Sequence, residues 1–264
     1  MAEVHDDGLA LDTVNPYAEE KHRFLAHYAE MFAKGMQNRF DHRIYLDLFS
    51  SSGYAKIKGT ERIIQTSPIL ALSLPVPFTR YVFCDLSEEK ISALRKRVER
   101  SHPSCDAHYY VGDVNQTIST VLAELPDFKA GNTGLSLCFI DPYAAKNLRY
   151  ETMKSLSKIY VDLFVMIPSY IDLNRHQTAQ CEQEEMKSSF DLMVGTSEWR
   201  AEWEEVRLRR TGLHFGEFCV EYFGRRMETL GYLPLDPSDI ILIDDEVWFN
   251  APRYHITLFS RHAK

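Results

Sequence analysis

The sequence predicts an α/β fold of the Rossmann-like type, in which helices cover a mostly parallel sheet. Apolar runs of strand length alternate with stretches whose apolar residues recur at helical spacing. The runs are near-continuously apolar and rich in Val, Ile, Tyr and Phe, as strands are when both faces of a parallel sheet are buried. The first four runs end at or beside an aspartate, and doubly wound sheets bind ligands at the carboxyl ends of their strands.

The chain is expected to begin with a flexible segment followed by a helix. Residues 1–14 are polar, which favours a flexible N-terminus. Asn15 is predicted as the N-cap of the helix, with Pro16 at its first position and Glu19 and Glu20 in its first turn. The apolar face of this helix repeats at helical spacing and consists of Phe24, Leu25, Tyr28, Met31 and Phe32.

Five strands and their connecting helices follow. The predicted strands are short apolar runs at residues 43–49, 80–86, 108–113, 135–142 and 161–168. Ser87 and Asn115 are predicted to cap two of the connecting helices, and a third is expected around residues 149–158. This alternation implies right-handed βαβ crossovers and a doubly wound sheet.

The pattern changes after the fifth strand. Residues 170–212 are strongly polar with helical stretches, which indicates a helical insertion. A helix closed by Gly231 then leads to two strand-like runs, 239–249 and 254–260. The short Asn-Ala-Pro link between these runs favours a C-terminal β-hairpin, which brings the sheet to seven strands. We therefore expect one domain over residues 15–264 that carries the insertion.

Charge and composition restrict the function. The net charge of -8 argues against a protein that binds DNA over a broad, non-specific surface. Local basic grooves are still compatible with it. Three basic clusters are candidates, and each could instead be a solvated helix face: Lys21 with Arg23, Arg95 to Arg97 with Arg100, and Arg207 with Arg209 and Arg210.

Cysteine usage and hydropathy indicate a cytoplasmic protein. The five cysteines are odd in number and form no CxxC pair, which is typical of reduced thiols and predicts no metal site. The acidic first ten residues lack an apolar core, so we expect no secretory signal. No run approaches the roughly 18 apolar residues of a membrane span, so no membrane association is predicted.

Four aspartates at successive strand ends are the candidate site residues: Asp47, Asp85, Asp113 and Asp141. A carboxylate at the tip of a buried strand can accept hydrogen bonds from ribose hydroxyls, amines or backbone amides. The alternative is that each aspartate serves a turn or a helix N-cap. In Rossmann-type proteins the acidic residue that ends the second strand holds ribose hydroxyls, which assigns that role to Asp85.

The loop after the first strand is the second candidate feature. Residues 47–53 contain Ser50, Ser51 and Gly53, and small residues let the backbone approach a ligand closely. No GxGxxG, P-loop or GxSxG motif is present, so neither phosphate transfer nor serine hydrolase chemistry is predicted. The following residues, 54–66, are either a lid or an insertion.

The third candidate feature is Asp141-Pro142-Tyr143 after the fourth strand. A carboxylate can accept a hydrogen bond from an exocyclic amine while an adjacent aromatic ring stacks on the base. This arrangement follows the logic of the Asp/Asn-Pro-Pro-Tyr motif of N-methyltransferases, with one proline missing. The alternative is a strand-end turn in which Tyr143 is packed.

Several short motifs occur in the order found in the three-Cys-motif partner proteins: 21–32, 44–54, 67–72, 138–143, 171–175 and 254–262. The chain resembles this methyltransferase-like family, whose members are encoded beside a protein carrying three cysteines. The family is similar in motif layout to bacterial ribosomal-RNA adenine-N6 methyltransferases. The resemblance implies the class I methyltransferase fold, S-adenosylmethionine as cofactor, and a protein partner with a three-Cys motif.

The resemblance also assigns roles by position. The implied cofactor-binding residues are Lys21, Asp47, Phe49, Ser50, Ser51, Gly53, Asp85, Leu86, Asp113 and Val114. The implied catalytic residues are Asp141, Pro142 and Tyr143. The implied substrate-binding residues are Tyr54, Asn174 and Arg175. Together they predict N-methylation of an amino group in nucleic acid.

Two departures and one rival hypothesis accompany this assignment. Family members carry glycine where this chain has Ser51 and Ala144, and a serine at positive φ costs roughly 1 kcal/mol or more. The rival hypothesis is a non-catalytic partner module that keeps the fold. Its helical insertion would dock a second protein through Trp199 and Trp203, unless these are ordinary core residues.

Overall fold

The structure, a computed structural model, describes residues 3–129, 131–245 and 251–261. Its strands are β1 (Glu3–Val4), β2 (Asp12–Val14), β3 (His42–Asp47), β4 (Tyr54–Ile57), β5 (Ile63–Gln65), β6 (Arg80–Asp85), β7 (Ala107–Val111), β8 (Gly134–Ile140), β9 (Val161–Ile167), β10 (Ile240–Asp245) and β11 (Ala251–Phe259). Its α-helices are α1 (Ala18–Met36), α2 (Ser67–Leu72), α3 (Glu88–Ser101), α4 (Val114–Ala123), α5 (Tyr150–Leu156), α6 (Gln177–Glu182), α7 (Ser189–Val194), α8 (Trp199–Leu208) and α9 (Phe215–Glu228). A π-helix covers Ser169–Asn174, and 3-10 turns cover Ala145–Asn147 and Pro237–Asp239.

Seven strands form the main sheet in the order β10-β11-β9-β8-β3-β6-β7. β3 pairs in parallel with both β6 and β8, and β6 pairs in parallel with β7. This confirms the α/β class and the mostly parallel sheet of seven strands. After β7 the chain returns to place β8 on the other side of β3, and such a reversal of strand order is where open α/β sheets bind ligands.

The C-terminal hairpin is also confirmed, because β10 and β11 pair in antiparallel fashion. Its predicted connection is wrong in part. Ala251 and Pro252 pair with Asp245 and Asp244 within the ladder and so belong to β11. The remaining link residue, Asn250, and residues 246–249 of the predicted strand lie outside the described residues.

The chain divides into two compact units. The N-terminal unit comprises Met1–Ile140 with Tyr160–Phe164, and the C-terminal unit comprises Asp141–Ile159 with Val165–Lys264. In the N-terminal unit the core lies along β3, whose Ile44, Tyr45 and Leu46 are fully buried. The continuous apolar pattern of this strand follows from its position between two other strands of the sheet.

A second, smaller sheet within the N-terminal unit has the order β1-β5-β4-β2. The expected flexible N-terminus supplies β1 and β2, and β2 pairs in parallel with β4 from Asp12 to Val14. Residues 54–66, interpreted as a lid or an insertion, contain the antiparallel pair β4 and β5. Ala55, Ile57 and Ile64 form the buried apolar cluster of this sheet.

Two predicted helix caps are wrong. α1 begins at Ala18, and the side chain of Asn15 donates to the hydroxyl of Tyr17 instead of capping the helix. α4 is capped by Asp113, whose carboxylate accepts a 2.9 Å hydrogen bond from the backbone amide of Asn115. At α4 two good capping residues, Asp113 and Asn115, lie two positions apart, whereas at α1 no side chain caps the helix.

The C-terminal unit contains the helices expected at about residues 170–212 and an aromatic core. Trp199 and Phe190 are fully buried, Trp203 is 5% exposed, and Phe215 packs against both tryptophans. The tryptophans are therefore core residues, and the idea that they are exposed docking anchors is wrong. None of the described helices is both long and apolar enough to cross a membrane.

Candidate functional site

The loop after β3 is anchored by buried polar groups. Asp47 is fully buried, and its carboxylate accepts a 3.4 Å hydrogen bond from the amide of Phe49. The amide of Ser50 donates to the carbonyl of Cys84 on β6 over 2.8 Å. Burial, and then the charge of Asp47, raise the pKa of the Cys84 thiol, which therefore stays protonated. Asp47 thus lies beneath the loop and holds its start.

The turn of the loop requires unusual backbone angles. Ser51 has φ of 57° and Gly53 has φ of 86°. A Cβ at Gly53 would lie 2.8 Å from Cδ1 of Leu94 and 3.0 Å from Cγ1 of Ile69, so only glycine fits there. At Ser51 the left-handed conformation costs about 1–2 kcal/mol for any residue with a side chain. Serine in place of glycine at position 51 therefore introduces backbone strain.

Asp85 joins this loop to the end of β6. Its Oδ2 accepts a 2.9 Å hydrogen bond from the amide of Ser51, and its Oδ1 accepts a 2.9 Å hydrogen bond from the amide of Ser87. Each carboxylate oxygen has a second lone pair for a further donor. Asp85 is half-buried, so its carboxylate can hold the two amides and still accept a hydrogen bond from a ligand.

Two exposed apolar side chains flank Asp85. Leu86 is 73% exposed, and Val111, the partner of Asp85 in the β-ladder, is 46% exposed. Gly112 follows with φ of 138°, and its amide donates to the backbone carbonyl of Asp85 over 3.0 Å. The sequence analysis missed Val111, although an apolar residue directly before the Gly112-Asp113 end of the strand was a usable signal.

Three of the remaining residues implied for the cofactor lie on or cap helices. Asp113 accepts from both the amide and the side-chain nitrogen of Asn115 and so caps α4. Val114 is buried in the first turn of that helix. Lys21 lies on α1 beside His22, whose pKa is lowered first by burial and then by the charge of Lys21.

The N-terminal segment contacts the loop, which the sequence analysis did not anticipate. The carboxylate of Asp12 accepts a hydrogen bond from Oγ of Ser51 and forms a 2.6 Å ion pair with Lys90. Buried Arg97 donates to the carbonyl of Ser52 over 2.7 Å and to both carboxylate oxygens of Asp7. No local signal identified these pairs, because their members are 39 to 90 residues apart.

Tyr54, implied as a substrate-binding residue, instead packs against this arginine. The guanidinium of Arg97 lies 4.4 Å from the centre of the Tyr54 ring. The basic cluster that contains Arg97 was interpreted as a groove or as a solvated helix face. For Arg97 both interpretations are wrong, because its side chain is buried between the N-terminal segment and the loop.

In the C-terminal unit, Asp141, Pro142 and Tyr143 directly follow β8 in the chain. Pro142 is buried, Asp141 is half-buried, and Tyr143 is 91% exposed. The alternative in which Tyr143 is packed is therefore wrong. Ala144 has φ of -148°, an extended conformation that any residue adopts, so the departure from glycine at this position carries no backbone strain.

The segment implied to bind substrate lies on the π-helix of the same unit. Asp172 accepts a 2.8 Å hydrogen bond from the amide of Ala145, which connects the π-helix to the residues after Tyr143. Asn174 accepts a 3.2 Å hydrogen bond from the amide of Gly216, and Arg175 is exposed. π-Helical turns are rare and are frequent at functional sites.

A metal centre has no support in the described part of the chain. Within it, no group of three or more His, Cys, Asp or Glu side chains is placed to hold a metal ion.

Comparisons with known proteins support the fold. A protein from Legionella pneumophila, LPL1258, has a TM-score of 0.51 at 14% identity over 91% of this chain and 85% of that chain. The O-methyltransferase from Bacillus cereus, in complex with SAH, has a TM-score of 0.51 at 11% identity over 96% of this chain and 84% of that chain. The DszA carbon methyltransferase has a TM-score of 0.50 at 12% identity over 95% and 56% of the two chains.

The chain therefore has the Rossmann-like fold of class I methyltransferases. At these identities the likeness concerns the fold alone. No family model and no curated protein matches the sequence, so membership of the three-Cys-motif partner family stays a prediction.

Proposed function

We propose that this protein is an S-adenosylmethionine-dependent methyltransferase that methylates an amino group of a nucleic-acid base. The observation that carries the proposal is Asp85, which ends the strand next to β3 and accepts a hydrogen bond from the amide of Ser51. A carboxylate at this point of a doubly wound sheet is suited to ribose hydroxyls. The methyltransferase fold supports the same assignment.

The residues around Asp85 fit this cofactor chemically. Leu86 and Val111 present exposed apolar surface on either side of a carboxylate, which suits an adenine ring next to a ribose. The hydroxyl of Ser50 is buried and has no hydrogen-bond partner among the described residues, so a donor or acceptor is available in the loop. When bound, S-adenosylmethionine supplies an electrophilic methyl group.

The substrate half of the proposal rests on residues 141–143. The carboxylate of Asp141 would accept a hydrogen bond from the target amine and orient its lone pair. The ring of Tyr143, 91% exposed, offers a face on which a base can stack. Holding the amine in line with the methyl group would contribute most of the acceleration, since proximity and orientation are worth several kcal/mol.

A non-catalytic partner module is the second candidate, and two features of Ser51 favour it. Ser51 carries backbone strain, and its hydroxyl is already bonded to Asp12. Either feature could weaken cofactor binding while the fold is kept. A protein carrying a three-Cys motif would then be the partner, but it would have to dock elsewhere than on the buried tryptophans.

Calorimetric titration with S-adenosylmethionine and S-adenosylhomocysteine tests the cofactor assignment. We expect micromolar binding that Asp85→Ala abolishes and that Glu89→Ala, an exposed acidic control in the next helix, retains. Methyl transfer to RNA and DNA oligonucleotides tests the reaction. We expect Asp141→Ala to lose transfer while keeping cofactor affinity, with exposed Glu151→Ala as the control. Absence of binding to both ligands would favour the partner module.

A further inference from the structure

A cavity of about 340 Å³ lies within the C-terminal unit, away from the cofactor residues and from residues 141–143, and it includes Asn174. It is formed by α8, the start of α9 and the loop that connects them, with Asn174 of the π-helix on another side. Three basic side chains line it: Arg207, Arg210 and His214. Arg207 and Arg210 belong to one of the basic clusters of the sequence, for which a basic groove and a solvated helix face were both left open.

The polar groups that line this cavity are predominantly donors. Arg207, Arg210 and the amides of Asn174 and Gln177 contribute N–H groups, and none of the described residues lining the cavity is Asp or Glu. Arg210 forms no ion pair with any described residue. Arg207 pairs with Glu204 over 2.9 Å, but both side chains are more than half exposed, and such pairs contribute little.

Trp203 supplies an independent sign of a ligand. It lines the cavity, is 5% exposed, and its indole N–H has no hydrogen-bond partner among the described residues. Trp199 differs, because its indole N–H donates to Asp191 over 2.7 Å. A buried donor without an acceptor is unfavourable, so an oxygen of a bound group would satisfy it.

The start of α9 also borders the cavity. Phe215, the first residue of this 14-residue helix, lines the cavity together with its N-cap residue His214. The first amides here are already bonded: that of His214 donates to the carboxylate of Glu217 over 3.0 Å, and that of Gly216 donates to Asn174 over 3.2 Å. The preference for an oxygen-rich anion therefore rests on the arginines and the indole N–H.

We infer that this cavity binds a phosphodiester group of the nucleic-acid strand that the enzyme methylates. The inference rests on the proposed function, since it names a contact to that substrate. A local basic site of this kind reconciles a net charge of -8 with a polyanionic substrate. Free inorganic phosphate carries the same chemistry and is the competing source.

Fluorescence anisotropy with labelled single strands of about 12 nucleotides tests the inference. Arg210→Gln is expected to weaken binding about tenfold and to reduce the salt slope by about one. Trp203→Phe, which keeps the ring and removes only the N–H, is expected to weaken it several-fold. Arg209→Gln is the matched control, because Arg209 is 73% exposed, pairs with Glu205 and does not line the cavity.

Each outcome decides between the alternatives. Equal affinities for Arg210→Gln and Arg209→Gln would overturn the inference, and thermal melting verifies that every variant is folded. Tight binding of inorganic phosphate that Arg210→Gln abolishes, with strand binding unchanged, would overturn it in favour of a free-anion site. If strand binding depends on Arg210 but S-adenosylmethionine does not bind, the cavity is supported as a nucleic-acid site and the proposed methyltransferase function is contradicted. The two ideas can therefore fail separately.

Discussion

The backbone amide of Ser51, held at φ of 57°, donates a 2.9 Å hydrogen bond to Oδ2 of Asp85 at the end of the neighbouring strand. A strained turn is thus tied to the carboxylate that we assign to the cofactor. The same serine is held from its other side by Asp12. The geometry of this loop therefore depends on three segments that are remote in sequence.

Replacing Ser51 by Gly and by Ala separates strain from hydrogen bonding. Both variants lose the hydroxyl that contacts Asp12, but only Ala keeps a Cβ at positive φ. We expect Ser51→Gly to be more stable than Ser51→Ala by roughly 1 kcal/mol in urea unfolding. At an ordinary φ the order would be reversed, because glycine loses more entropy on folding. The sign of the stability difference between the two variants therefore shows whether the positive φ at position 51 is a source of strain.

Ala144→Gly provides the contrasting case. Because Ala144 is extended at φ of -148°, glycine gains nothing there and makes the unfolded chain more flexible. We expect a loss of about 0.5–1 kcal/mol in unfolding free energy and no gain in methyl transfer. Higher activity in this variant would contradict our view that residue 144 carries no backbone strain.

The ion pair between Asp7 and Arg97 predicts a pH dependence. Hydrogen bonds from Arg97 are the main cause that lowers the pKa of Asp7 below its ordinary value of 3.8. A lowered pKa in the folded state stabilises the protein above pH 3.8, and this contribution is lost as the pH falls through the folded-state pKa. Asp7→Asn should therefore reduce the unfolding free energy by about 2 kcal/mol at neutral pH.

The same difference should shrink as the pH falls below 4, which urea unfolding at several pH values will measure. Asp6→Asn is the control, since Asp6 is exposed and accepts a hydrogen bond from the amide of Gly8 instead of pairing with an arginine of the described residues. A difference between wild type and Asp7→Asn that is independent of pH would mean that Arg97 and Asp7 do not interact as a charged pair.

Tyr143 should matter for activity and little for stability. Its ring is 91% exposed, so Tyr143→Ala is expected to change the unfolding free energy by less than about 0.5 kcal/mol. Loss of a stacking ring should reduce methyl transfer about tenfold or more. Tyr143→Phe keeps the aromatic face and should retain most of the activity. Equal losses in both variants would point to the hydroxyl and against stacking.

The two tryptophans of the helical segment should differ in their contribution to stability. Trp199→Phe removes the 2.7 Å hydrogen bond to buried Asp191 and is expected to cost about 1–3 kcal/mol beyond the loss of packing. Trp203→Phe removes an N–H that has no described acceptor, so its cost should be that of packing alone. Comparing the two in thermal unfolding tests this assignment.

Much of the main sheet could be predicted because its signals are local. A buried parallel strand is apolar along its whole length, and β3, β6, β8 and β9 therefore stood out as continuous runs. The four aspartates lie at or just after the ends of β3, β6, β7 and β8, as the sequence predicts. The roles of those aspartates could not be predicted, since a carboxylate at a strand tip can be buried like Asp47, cap a helix like Asp113 or remain half-exposed like Asp85.

The sequence by itself determined the fold class, the order of the strands of the main sheet and the loop with its unusual serine, because each depends on the nature and spacing of nearby residues. Only the tertiary structure decided that the N-terminal segment pairs with residues 54–65, that Arg97 is buried, and that Arg207 and Arg210 line a cavity with Trp203. These contacts join residues whose separation along the chain carries no periodic signal. Their energies depend on which side chains the folded backbone brings within reach of one another.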